Sequence, residues 1–75
     1  MREAKIYAGR VARWLAERHY GFLVDRQTGK EYFCHEIDCV TTPSQGDEVT
    51  FSIGIFNKRE KATEVLITTK NQAKV

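Results

Sequence analysis

Apolar residues recur at every second position in short stretches of this 75-residue chain, and glycine, proline and polar clusters separate those stretches. A period of two is the pattern of a strand with one buried face; a helix would repeat every three or four residues. In residues 48–55, Val49, Phe51 and Ile53 share one face while Thr50 and Ser52 share the other. Further strands are expected at 5–15, 20–25, 31–35 and 62–68, with Gly9 marking a bulge or bend in the first. RQTGK, residues 26–30, reads as a hairpin loop with Gly29 at a left-handed position. Residues 16–19 read as a short connection and 57–61, NKREK, as a charged loop. The segment 36–47 contains the only proline and reads as irregular, with one helical turn over EIDCV.

Five short strands in so small a chain predict an all-β fold, a five-stranded antiparallel OB-fold barrel, because closure removes edges that would otherwise recruit other strands. One domain spans 1–75, with a core at 5–68 and a polar tail at 69–75. No apolar run approaches the roughly 18 residues of a membrane span, so no membrane partner is expected. MREAKIYAGR has charge without the apolar centre of a secretory leader, and two cysteines are too few for a disulfide framework. A reducing, cytoplasmic setting and a monomeric state are the expectation. Net charge is +2, yet residues 1–30 hold seven basic against three acidic residues and residues 31–75 five against seven. That asymmetry suits an anionic partner better than the total suggests.

Rings crowd one short region: Tyr20, Phe22, Tyr32 and Phe33, with His19 and His35. Alternation puts Tyr20, Phe22 and Val24 on one face of the second strand and Gly21 and Leu23 on the other. In the third strand Phe33 and His35 oppose Tyr32 and Cys34. Two phasings are open. If Leu23 and Cys34 fill the barrel, then Tyr20, Phe22, Phe33 and His35 form a contiguous outer patch. The opposite phasing buries the rings and exposes Leu23. Arg13 and Arg18 flank the same region and Trp14 ends the first strand nearby. Rings interleaved with cations suit single-stranded nucleic acid, whose bases stack while cations hold its phosphates.

Here the chain resembles the cold-shock domain, a nucleic-acid-binding variant of the five-stranded oligonucleotide-binding barrel. The family's Gly-x-Val-Lys-Trp-Phe is similar to Gly9-Arg10-Val11-Ala12-Arg13-Trp14-Leu15 with one residue inserted after Val11. Its Lys-Gly-Phe-Gly-Phe-Ile is similar to Arg18-His19-Tyr20-Gly21-Phe22-Leu23, and its Val-Phe-Val-His-Phe to Tyr32-Phe33-Cys34-His35-Glu36. Gly46 to Phe51 and Ala62 to Val65 resemble two later motifs, in the family's order. The resemblance favours the outward phasing. It implies stacking roles for Trp14, Tyr20, Phe22, Phe33 and His35 and phosphate contacts for Arg13 and Arg18. In such barrels the loop carrying Lys58 and Arg59 can close over the bound strand. Three departures stand out: Glu36 replaces a stacking Phe, Leu15 replaces a Phe, and His19 replaces a Gly.

Other chemistries find little support. Cys34 and His35 are neighbours on a strand and point to opposite faces, so they neither share a metal nor form a nucleophile pair. No metal or other cofactor is expected, and no enzymatic activity. Cys34 reads as a small apolar core residue, not as one half of a bridge to Cys39. His35 has a structural alternative as a hydrogen-bonded histidine, and residues 58–61 as a solvated loop. Two functions are carried forward: a binder of single-stranded RNA or DNA that acts as a nucleic-acid chaperone or expression regulator, and a barrel reused as a protein–protein interaction module.

Overall fold

The computed structural model describes residues 5–69. Five strands, β1 (Tyr7–Leu15), β2 (Tyr20–Asp25), β3 (Glu31–His35), β4 (Glu48–Phe56) and β5 (Arg59–Thr69), close into an OB-like barrel in the order β1-β2-β3-β5-β4. Single 3-10 turns at Ala16–Arg18 and Glu36–Asp38 follow β1 and β3. Among the described residues no helix is long and apolar enough to cross a membrane.

The expected antiparallel barrel needs one correction: β3 and β5 run parallel, through the pair Phe33 and Lys61. Topology requires this. Strand direction cannot alternate all the way around a closed ring with an odd number of members, so at least one seam must be parallel. The other four seams are antiparallel.

The interior is built from Val11, Leu23, Tyr32, Cys34, Val49, Phe51, Ala62 and Val65; on β5 the pairing slips by one residue near Glu64, at φ 50°, so Ala62 and Val65 are three apart. Leu23 and Cys34 are fully buried, so the phasing is the one that turns Phe22 and Phe33 outward. Tyr32 lies inside against Phe51, ring centroids 5.7 Å apart. Gly9 belongs to a close crossing of strands, since a Cβ there would run into the Val24 carbonyl and come within 3.1 Å of the Phe51 ring.

Several boundaries differ from expectation. The strand-pairing irregularity of β1 lies not at Gly9 but between Val11 and Arg13, with Ala12 the extra residue, at the one-residue insertion that the resemblance required after Val11. The charged loop 57–61 contracts to a two-residue turn, Asn57-Lys58, because β4 extends to Phe56 and β5 begins at Arg59. Both turn residues have left-handed φ, 54° and 66°, as a tight hairpin between right-twisted strands requires. The 26–30 hairpin forms as expected, with Gly29 at φ 78°. The buried Asp25 carboxylate organises it by accepting from Gln27 N–H at 2.7 Å and Thr28 N–H at 3.3 Å. Of the expected polar tail, Thr69 ends β5, and 70–75 lie outside the described residues.

Candidate nucleic-acid interface

Strand register assembles the outer patch. Tyr20 pairs with His35 and Phe22 with Phe33 across the β2–β3 hairpin. Phe33 sits centrally, with ring centroids 5.3 Å from Tyr20, 6.1 Å from Phe22 and 6.4 Å from His35. Tyr20 and Phe22 meet edge to face at 6.2 Å. Such tilted and edge-on contacts suit the ring quadrupoles. Phe33 keeps 37% of its surface exposed, and Tyr20, Phe22 and His35 are half-buried.

Cations bracket the rings along one register row. Arg13 pairs with Phe22, Phe22 with Phe33, and Phe33 with Lys61, so four strands contribute cation, ring, ring, cation in sequence. The Arg13 guanidinium lies 5.4 Å from the Phe22 ring centroid. Lys61 Nζ forms an ion pair with Asp38 Oδ2 at 2.9 Å and lies 5.0 Å from the Phe56 ring centroid. The described ion pairs include neither Arg13 nor Arg59, so both guanidinium groups remain available to an anion.

The extended β4–β5 arm turns this surface into a groove of about 940 Å³. Tyr20, Phe22, Phe33 and His35 line one side; Phe56, Asn57, Arg59 and Lys61 line the other, with Ile37 and Glu60 completing it. Phe56 is 61% exposed and Ile37 81%. A second concavity of about 480 Å³, beside Arg10 and Arg26, has no aromatic lining.

The proposed site residues therefore divide. Arg13, Tyr20, Phe22, Phe33, His35 and Arg59 come together. Trp14 does not join them: it pairs with Gly21, on the Leu23 side of β2, and packs against the core. The extra residue at Ala12 reverses the alternation beyond it and brings Arg13, not Trp14, beside Phe22. Arg18 is exposed at the end of the Ala16–Arg18 turn and does not line the groove, and Lys58 stands at the tip of the arm. Phe56 and Ile37 line the groove without having been expected there, and Lys61, from the charged run 58–61, lines it too. Extending the β4 alternation would have found Phe56, which shares parity with Thr50 and Ser52.

His35 also has a structural task. Its Nδ1 accepts from Ile37 N–H at 3.1 Å, capping the Glu36–Asp38 turn, which leaves Nε2 to carry the proton of the neutral ring. Glu36 and His19, two of the departures from the cold-shock pattern, bond to each other: His19 Nδ1 lies 2.8 Å from Glu36 Oε1. Thr42 Oγ1 donates to Glu36 Oε2 at 2.9 Å, and Glu36 N–H donates to the His19 carbonyl at 2.8 Å. The His19 hydrogen bond, seconded by Thr42, holds the Glu36 carboxyl below its ordinary pKa. Between the groove-lining His35 and Ile37, Glu36 is thus a tethered carboxylate.

No protein-family model matches the chain, and no curated protein matches it in sequence.

Proposed function

We propose that the chain is a diverged cold-shock-type domain that binds single-stranded RNA or DNA along the groove between the β2–β3 ring patch and the β4–β5 arm. The observation carrying this reading is the row Arg13, Phe22, Phe33, Lys61, in which two outward rings stand between two cations on adjacent strands. Bases stack on the rings whatever their identity, and Arg13 and Arg59 neutralise phosphates on either side. Such binding keeps strands unpaired, which is the physical basis of a chaperone or regulatory role. No catalytic step is assigned to the site.

Phe22→Ala tests this. Loss of one stack costs about 1–3 kcal/mol, so affinity for a short labelled single strand should fall about 5- to 150-fold, with the far-ultraviolet spectrum unchanged. Unaltered affinity in a folded variant excludes the ring face as the binding surface. The alternative, a protein-docking face, draws on the exposed Phe56 and Ile37 in the same groove. It predicts weak salt dependence and no preference for single strands.

A further inference from the structure

Cys34 and Cys39 are both free, and their sulfurs lie 3.2 Å apart. Cys34 is fully buried on β3, between the outward residues Phe33 and His35. Cys39 follows the Glu36–Asp38 turn, which folds it back over the strand, and it is only partly buried. Cys39 N–H donates to the Glu36 carbonyl at 3.0 Å, and its backbone bridges to Val65. Both sulfurs also approach the His35 carbonyl, at 3.8 and 3.5 Å. A disulfide needs about 2.05 Å between sulfurs, so closure requires an approach of roughly 1.1 Å. Cys34 sits within strand β3 of the barrel wall while Cys39 lies on the connection after it, so the approach falls mainly to the Cys39 segment.

We propose that Cys34 and Cys39 form a reversible dithiol–disulfide pair, oxidised by hydroperoxides, that resets the His35 and Lys61 end of the groove. Cys39 is the attacking residue because it is the less buried of the two. The Cys34 S–H bond also lowers the Cys39 thiol pKa, while the same bond and burial raise that of Cys34. The Cys39 thiolate attacks the peroxide O–O bond, giving a sulfenic acid and an alkoxide that takes up a proton to leave as alcohol (water, for hydrogen peroxide). The Cys34 sulfur then attacks the sulfenic sulfur. The S–S bond forms, the S–O bond breaks, and the Cys34 proton leaves with the hydroxyl as water. Two thiols are oxidised and one peroxide is reduced. A thiol reductant reverses the change by exchange.

The consequence reaches the groove through two contacts on the Glu36–Asp38 turn. Ile37 N–H donates to His35 Nδ1, and Asp38 Oδ2 forms an ion pair with Lys61. Drawing Cys39 toward Cys34 moves this turn and with it both contacts. The covalent step holds whatever the ring face binds; an effect on single-strand affinity rests on the function proposed above.

The test treats the native full chain with stoichiometric hydrogen peroxide. Intact mass should fall by two hydrogens, peptide mapping should join Cys34 to Cys39 within one chain, and dithiothreitol should restore the thiols. The His35 imidazole and Ile37 amide resonances should shift on oxidation and return on reduction. Cys39→Ser should show neither change, and since Cys39 is only partly buried it keeps the core sulfur in place. A stable sulfinate, an intermolecular dimer, no reaction, or a disulfide that leaves those resonances unmoved overturns the proposal. Oxidised and reduced forms should also differ in affinity for a short labelled single strand. Equal affinities overturn the effect on the groove. Reduced protein that does not bind refutes the proposed function and leaves the disulfide result standing.

Discussion

Tyr32 and Phe33 are neighbours on β3, and truncating each to alanine should have very different consequences for the fold. Tyr32 is 6% exposed and packs on Phe51 inside the barrel. Removing a large buried ring costs about 3–5 kcal/mol in lost transfer energy and cavity formation. A domain of this size has a total stability of roughly 4–11 kcal/mol, so Tyr32→Ala consumes a large share of it. At about 4–8 °C per kcal/mol, its melting temperature should fall by more than about 12 °C. Phe33 is 37% exposed and leaves a surface notch when truncated, not a cavity. Partial burial of Phe is worth about 1–2 kcal/mol, scaled from about 1.5–3 for complete burial. Thermal denaturation followed by circular dichroism should therefore separate the variants by at least about 1–2 kcal/mol, with Tyr32→Ala the weaker. Equal destabilisation by the two substitutions would mean that the sidedness of β3 has been misread.

Two further outcomes concern Glu36 and the β4–β5 arm. The folded-state pKa of Glu36 is depressed, so its contribution to stability is present above the ordinary carboxylate range and is lost as pH falls through the lower folded value. Urea unfolding of the wild type and Glu36→Gln from neutral to acid pH should converge at the acid end; parallel curves would show that the His19–Glu36 bond contributes nothing. At the arm, Lys58 holds φ 66° at the second turn position. Lys58→Gly should raise stability by up to about 1 kcal/mol, since a left-handed L-residue costs about 1–2 kcal/mol and the added freedom of the unfolded chain offsets part of the gain. If Lys58 also contacts phosphate, the same variant should bind single strands more weakly. A lowered melting temperature would contradict the turn geometry.

Much of this was legible in the sequence because barrel interiors impose a period of two. The bounds of β2 and β3, and the grouping of Tyr20 with Phe22 and of Phe33 with His35 on shared faces, follow from that alternation; which face turns inward does not, and it is the burial of Leu23 and Cys34 that settles it. Alternation alone fails at Ala12, where a bulge adds one residue and inverts the faces beyond it; the only trace of it in the sequence is the one-residue insertion after Val11 relative to the cold-shock pattern. Trp14 therefore passes to the core side and Arg13 takes the place beside Phe22. The Asn57-Lys58 turn was hidden because it lacks the glycine that usually marks a two-residue hairpin, so the charged run read as a longer loop and Phe56 went unnoticed. The Cys34–Cys39 contact depends on the Glu36–Asp38 turn folding back, which strand parity alone does not encode.

Salt dependence of single-strand binding tests the central claim most directly. Fluorescence anisotropy of a short labelled strand, titrated with the protein at several salt concentrations, gives the slope of log affinity against log salt. Each phosphate neutralised contributes about −0.7, so two contacts at Arg13 and Arg59 predict about −1.4, and three, with Lys58, about −2.1. The account predicts a slope in that range, reduced by Arg13→Gln, and weaker binding of the matching duplex. A slope near zero, or equal affinity for single and double strands, would contradict it.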